Sequence, residues 1–308
     1  MIGIARETVR SLDMAIDFGT ASVRVTADSQ HIRERRSANG ERCALARGVV
    51  VDRETAAEVL RPILYRARRW AGFSRVRVLA CAPSDASAEE KSALADCILR
   101  AGASAVYISP EPLAAAIGAG IDVGSRYAKL IMDIGEGVTD CAVIRSAQVC
   151  RSLAIRVGCS DLREAIQQHV FEHHQVSLTD DEAARSLRLV GVREDRSEAV
   201  TIEGSRDGAT CFLTIAAAEL QAALAPHMAA ILGNLETLLH DLPPALAAEL
   251  IEEGICLSGG GALLNGMPER VVRVAQLDVR VVADPLGAVV SGIRAMLPVA
   301  ATMRLWGG

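Results

Sequence analysis

The stretch Leu130-Ile131-Met132-Asp133-Ile134-Gly135-Glu136-Gly137-Val138-Thr139 decides how this chain folds. An apolar run ends in an acid, one apolar residue and a glycine, and the alternating segment Asp140-Cys141-Ala142-Val143-Ile144 follows at once. That pattern is a strand, a tight turn and a second strand. The same device stands earlier, as Met14-Ala15-Ile16-Asp17-Phe18-Gly19-Thr20 followed by Ser22-Val23-Arg24-Val25-Thr26. Glycine at such a turn permits positive φ and lets backbone N–H groups approach an anion closely. Two such hairpins facing each other would clamp a polyphosphate. Each would also bring an aspartate, Asp17 or Asp133, near the metal that accompanies it.

A third element, Gly254-Ile255-Cys256-Leu257-Ser258-Gly259-Gly260-Gly261-Ala262-Leu263-Leu264, reads as a buried strand, a triple-glycine turn and the start of a helix. Three glycines clear every side chain from a surface, which suits a flat base or ribose lying against backbone. Asp-x-Gly alone is common by chance, whereas the ordered set of three, each after a β-rich strand, is specific. Together they predict an α/β nucleotide-binding protein of two lobes.

Composition agrees. At 308 residues the chain is long enough for two lobes with separate cores. Half of it is hydrophobic, yet no run approaches the ~18 apolar residues of a membrane span. Met1 to Leu12 carries Arg6, Glu7 and Arg10 among Ile2, Ile4 and Val9, and reads as no secretory signal. Eight cysteines without a Cys-x-x-Cys pair favour free thiols in a reducing cytoplasm. A net charge of −5 and only 3% aromatics argue against a nucleic-acid surface, which needs a basic excess.

Between the three motifs, strands and helices alternate, the mark of a layered α/β fold. Thr55 to Trp70 has helical spacing, Val76 to Ala82 is a strand stopped by Pro83, and Ser87 to Ala101 is an amphipathic helix. Ser87 is its expected N-cap, with Glu89 and Glu90 in the first turn. Val106-Tyr107-Ile108 is a strand, and Glu111 opens an Ala-rich helix. Further on, Leu162 to His174 and Asp180 to Leu189 are helical, and Arg193 to Leu213 is a small β excursion. Ala216 to His240 is a long helix, Val279 to Val282 a strand and Leu286 to Leu297 a closing helix. The expected first lobe comprises 1–128 plus 286–308, its outer subdomain at about 27–47 reduced, and the second 129–285, with a smaller inserted subdomain at about 176–240.

With these residues in view, the chain resembles the actin-like ATPases and, within them, the bacterial rod-shape-determining MreB/Mbl family. Asp17-Phe18-Gly19-Thr20-Ala21-Ser22 looks like that family's first phosphate loop, Asp133 to Asp140 its second, and Ser258 to Gly266 its adenosine loop. The most specific stretch is Glu111-Pro112-Leu113-Ala114-Ala115-Ala116-Ile117-Gly118-Ala119-Gly120, close to a family signature. The resemblance implies an actin-like (ribonuclease H-like) fold with duplicated sheet-and-helix lobes around a nucleotide cleft. It implies a cytoplasmic protein that binds ATP with Mg²⁺, polymerises beneath the inner membrane and guides cell-wall synthesis. Its partners would be itself, in a filament or dimer, and proteins of cell-wall synthesis and membrane morphogenesis, with no nucleic acid.

The same resemblance assigns roles. Glu111 and Thr139 are the catalytic pair, Glu111 positioning or deprotonating the attacking water, a reaction that needs little beyond in-line placement. Gly19, Thr20, Ala21 and Ser22 in the first loop, and Gly135, Glu136, Gly137 and Val138 in the second, hold the nucleotide's phosphates. Gly259, Gly260, Gly261, Ala262 and Leu263 take its adenosine side. Asp17 and Asp133 reach Mg²⁺ through water. For each there is a plainer reading: Glu111 as a helix-start acid, and Asp17 and Asp133 as turn residues at strand ends.

This sequence departs from the family in three places. Glu136 stands where the bacterial family usually has Gly; a carboxylate ~4 Å from a phosphate oxygen would cost about 4 kcal/mol at an effective dielectric near 20, and would help instead if it faced hydrated magnesium. The charged helix segment that grips adenosine should fall in Ala184 to Leu189, where Arg185 or Arg188 would have to substitute for the expected Glu and Lys. Between Thr26 and Gly48 there is too little chain for the usual outer subdomain. Trp70 and Phe73, flanked by arginines, match a membrane-touching loop, or else turn into the core at an ordinary helix end. His169, His173 and His174 lie at helical spacing that could seat a metal, but no third ligand type is evident and an exposed helix face explains them. A degenerate actin-fold scaffold with weak nucleotide binding, acting through protein partners, is the alternative; an actin-fold kinase is a third.

Overall fold

The two acidic hairpins of the sequence become the centres of two separate sheets. The computed structural model describes residues 11–27, 33–36, 38–39, 42–71, 75–193 and 198–302. The chain divides into two units, one of Met1–Ala82, Ala86–Gly118 and Val289–Gly308, the other of Pro83–Asp85 and Ala119–Ala288.

In the first unit, β1 (Ser11–Phe18) and β2 (Ser22–Ala27) form the hairpin, and β3 (Arg33–Arg36) extends it. Two short ribbons follow, β4 (Ala38–Asn39) with β5 (Arg42–Cys43) and β6 (Leu45–Ala46) with β7 (Val49–Val50). Then come α1 (Arg53–Ala71), β8 (Arg75–Ala82), α2 (Ala88–Arg100), β9 (Ala105–Pro110) and α3 (Glu111–Gly118). The sheet order is β3-β2-β1-β8-β9, with β8 and β9 parallel to β1 through helical crossovers. Its middle strands are buried on both faces: Met14, Ala15, Ile16, Val78, Leu79 and Ala80 are all at most 1% exposed. That is why they read as near-continuous apolar runs. Ser87 caps α2 as expected: its side chain accepts from the Glu90 N–H and the Glu90 carboxylate accepts from the Ser87 N–H.

In the second unit, β10 (Lys129–Ile134), β11 (Thr139–Arg145) and β12 (Gln148–Ile155) form a meander. It leads into α4 (Cys159–His174), α5 (Asp180–Val190) and a two-stranded ribbon of β13 (Ala199–Arg206) and β14 (Ala209–Ala216). Helices α6 (Ala217–His240) and α7 (Pro244–Glu253) precede β15 (Ile255–Ser258), α8 (Met267–Ala275) and β16 (Val279–Val281). The chain then closes on α9 (Ala288–Thr302), which from Val289 onward belongs to the first unit. The sheet order is β12-β11-β10-β15-β16, again an antiparallel meander flanked by two parallel strands. Strand for strand it repeats the first unit's sheet, so Asp17 and Asp133 occupy the same place, next to last in the first strand of each hairpin.

Three elements differ from the sequence expectation. The helix expected after the triple glycine is a single 3-10 turn, Gly260–Leu263; three glycines carry little helical propensity, and Gly266 at φ +90° reorients the chain before α8. Strand β12 is half exposed without clean alternation, and α7 starts on a proline pair, with Pro243 as N-cap and Pro244 its first residue, so neither announces itself by periodicity.

Candidate functional site

Each hairpin turn is closed by the same bond. The Gly19 N–H donates to the Ser22 carbonyl at 3.1 Å, and the Gly135 N–H to the Val138 carbonyl at 2.8 Å. Neither glycine adopts the positive φ that the sequence reading invoked; closeness is what the turn requires. A Cβ on Gly135 would stand 3.1 Å from the Val138 carbonyl oxygen, and one on Gly19 would stand 3.4 Å from that of Ser22.

In the first unit, Asp17 is 6% exposed and faces Arg24 across the hairpin, with Nη1 to Oδ2 at 3.5 Å. Thr20 turns its hydroxyl to the Gly48 N–H at 2.9 Å, which fixes the loop against the chain entering α1. Ser22 is buried at the start of β2, and Ala21 is exposed at the turn. Glu111 follows β9 directly as the first residue of α3. It and Asp17 both act on the buried Cys81 of β8, whose thiol is pushed well up by burial first and by these two carboxylates next. The unit therefore gathers Asp17, the first loop and Glu111 around the ends of β1, β8 and β9.

In the second unit, Asp133 is 5% exposed and lies opposite Asp140 in β11 and Ser258 in β15. The triple glycine packs directly on it. A Cβ on Gly259, which sits at φ +80°, would come 2.6 Å from Asp133 Oδ1 and overlap the Ile134 carbonyl, and one on Gly261 would overlap the Ile134 side chain. Two of the three glycines thus serve to bring the third motif against the second. Only Gly260 has ordinary space, its nearest neighbour the Leu286 side chain at 3.7 Å. Ala262 is buried and Leu263 exposed. Thr139 is fully buried, its hydroxyl donating to the Val157 carbonyl at 2.9 Å.

Glu136 has a partner the sequence did not reveal. Arg163, one turn into α4, grips its carboxylate with both guanidinium nitrogens, Nη1 to Oε2 at 3.0 Å and Nη2 to Oε1. The pair is partly buried, at 14% and 22% side-chain exposure. The charge that looked hostile to a phosphate is held by a cation on a neighbouring helix. The Gly158 position locks that helix to the loop: a Cβ there would stand 2.6 Å from the Glu136 carbonyl oxygen, while the Cys159 and Ser160 N–H groups donate to the Gly135 and Glu136 carbonyls. Burial and the Glu136 charge push the Cys159 thiol up to about 12.

Beside the loop, Asp140 is 2% exposed and accepts from Ser84 twice, from its N–H at 2.7 Å and its hydroxyl at 2.6 Å. Burial still dominates and lifts its carboxyl to about 6. Arg185 and Arg188 are exposed on α5; Arg185 lies 3.5 Å from Glu203 of β13. The end of α5 is tied past the triple glycine, with the Val192 N–H donating to the Asn265 carbonyl. Phe73 and the side chain of Trp70 lie outside the described residues.

Arg24, Gly158 and Arg163 are the site residues that sequence reasoning missed. Hairpin register would have flagged Arg24, because a seven-residue step from Asp17 across a tight turn returns to its neighbour. Arg163 gave no local signal, since it meets Glu136 only once α4 folds back. Asp17 in the first unit and Asp133 in the second each offer carboxylate oxygen, the donor a hard cation such as Mg²⁺ takes.

A model of the MreB/Mbl protein family matches residues 42–304. The chain is 29% identical over 255 residues to the cell shape-determining protein Mbl of Bacillus subtilis strain 168, covering 81% of this chain and 76% of that protein. It is 32% identical over 220 residues to the cell shape-determining protein MreB of Escherichia coli K12, covering 70% and 63% respectively. Among solved structures it is similar to MreB5 of Spiroplasma citri bound to ADP, with a TM-score of 0.86 at 24% identity over 97% of this chain and 99% of that one. The fold is actin-like.

Proposed function

This chain belongs to the MreB/Mbl family, and from that premise we propose that it is a cell-shape protein that binds ATP with Mg²⁺ and assembles with copies of itself. The observation that carries the reading is the repeated hairpin: the same sheet order twice, the same closing bond in each turn, and a buried aspartate at the same strand position. Gly19 to Ser22 and Gly135 to Val138 would take phosphate oxygens, Asp17 and Asp133 the hydrated magnesium, and Gly259 to Leu263 the adenosine side. The bound ion would neutralise developing phosphate charge. Glu111, held at the head of α3, would orient the attacking water, with Thr139 stiffening the second loop from its bond to Val157. Family membership supports self-assembly beneath the membrane, with cell-wall synthesis proteins as partners. Among the described residues no helix is long and apolar enough to cross a membrane.

Isothermal titration with ATP and Mg²⁺, run beside a phosphate-release assay and sedimentation, tests the proposal. Wild-type protein should bind ATP at micromolar concentration, release phosphate slowly and pellet with nucleotide. Glu111→Gln should keep binding and lose turnover. Wild type that neither binds ATP nor pellets would favour the partner-dependent scaffold.

A further inference from the structure

Three of the chain's six histidines fall between residues 169 and 174, on the last turns of α4. Two of them converge on one acid. His169 and His174 each present Nε2 to the same oxygen of Glu219, in the first turn of α6, at 2.9 and 2.7 Å. The three potential donor atoms all lie within 4.8 Å of one another. His173 takes no part; its ring packs on His169 with centroids 4.4 Å apart. None of these residues belongs to the loops described above.

We propose that His169, His174 and Glu219 form a binding site for a late first-row divalent cation, with Zn²⁺ as the physiological type. Two imidazole nitrogens and one carboxylate oxygen, with a fourth position left to water, are a tetrahedral zinc donor set. Imidazole selects zinc, copper or nickel over the magnesium and calcium that carboxylates alone would take. The side chains are 18%, 26% and 36% exposed, so an ion can arrive from solvent. Behind them Val170 and Leu220 are fully buried and fix the two helices.

The two gaps to the Glu219 oxygen need little change. Ligands at 2.0–2.1 Å from a tetrahedral centre stand about 3.3 Å apart, so the two nitrogen-to-oxygen gaps must widen by about half an ångström. Each ring proton moves to Nδ1, leaving the Nε2 lone pair for the ion. The backbone at this point is already anchored: Arg206 donates to the His174 carbonyl at 2.8 Å, and Ser177 and Ser205 exchange backbone hydrogen bonds three residues on. An ion here would fasten the end of α4 to the start of α6, at the foot of the β13–β14 ribbon.

The test uses the whole chain, stripped with a chelator, titrated with Zn²⁺ against a chromophoric indicator and with Co²⁺ by absorption. One ion per chain should bind at low micromolar concentration or tighter. His174→Ala and Glu219→Gln should each weaken binding by roughly tenfold or more, and His173→Ala should leave it unchanged. Glu219→Gln preserves shape, and metal-free melting of each variant at the wild-type temperature separates lost binding from lost fold. Bound Co²⁺ should show tetrahedral visible bands without a thiolate charge-transfer band. Absence of binding at ~100 µM Zn²⁺, a thiolate band that moves the ion to the cysteines, or unchanged affinity in His174→Ala and Glu219→Gln would each overturn the site.

Discussion

Replacing Arg163 with alanine should cost both stability and nucleotide affinity, and removing Glu136 as well should restore most of both. At the observed 3.0 Å the ion pair is worth about 5.5 kcal/mol by Coulomb's law with an effective dielectric of 20. Both side chains keep some solvent, 14% for Arg163 and 22% for Glu136, and both are ordered by the contact, so the net value falls to about 1–3 kcal/mol. In a chain of this length that lowers the melting temperature by about 2 °C per kcal/mol. The larger effect should be on ATP. An uncompensated carboxylate would cost about 4 kcal/mol at ~4 Å from a phosphate and about 2.4 kcal/mol at ~7 Å on the same dielectric, so the loss in affinity should be roughly fiftyfold or more. Calorimetric titration and thermal melting of wild type, Arg163→Ala, Glu136→Gly and the double variant make a complete cycle. Arg163→Ala should be the weakest binder of the four. The reasoning is refuted if Arg163→Ala melts and binds like wild type, or if the double variant binds ATP no better than Arg163→Ala.

The triple glycine should prove unequal in its three members. Gly259→Ala combines a left-handed backbone with overlap at Ile134 and should lose about 3 kcal/mol or more, whereas Gly260→Ala, with 3.7 Å of clearance, should stay within about 1 kcal/mol of wild type in urea melts. Asp140 should leave a pH signature. Its folded value of about 6 lies above the ordinary 3.8, so the native state binds the extra proton, and stability from this group is lost as pH rises from about 4 to about 6. The swing is at most about 3 kcal/mol, and urea denaturation across that window should show a flatter decline in Asp140→Asn than in wild type. Ser87→Ala removes one half of the capping box on α2 and should cost about 1 kcal/mol, read by thermal unfolding.

The fold was legible where the chain repeats itself. Asp17 and Asp133 end apolar strands of equal design, and both hairpins form as the alternation around them requires. Ser87 declared the start of α2 because the three-residue step to Glu90 is a local signal. What stayed hidden depends on distant contacts. The glycines at 259 and 261 look like a bare platform in sequence, and only the neighbouring strand shows that Ile134 fills the space their side chains would need. Glu136 looked like a misplaced charge because its partner lies 27 positions on, in α4. His169 and His174 looked like a solvated face because Glu219 arrives from a different helix 45 residues after His174.

The closing helix has a consequence for the order in which the chain is built. Residues from Val289 onward belong to the first unit, where Val290 and Ile293 are fully buried and Gly292 lies so close to the Ala114 carbonyl that no side chain fits. During synthesis the earlier unit must therefore wait, its hydrophobic surface near α3 uncovered, while some 170 intervening residues are made. The half begun first is sealed last. A released chain that ends before residue 289 would keep every strand of the second unit's sheet yet leave the first unit unsealed, the species a holdase chaperone would be expected to capture.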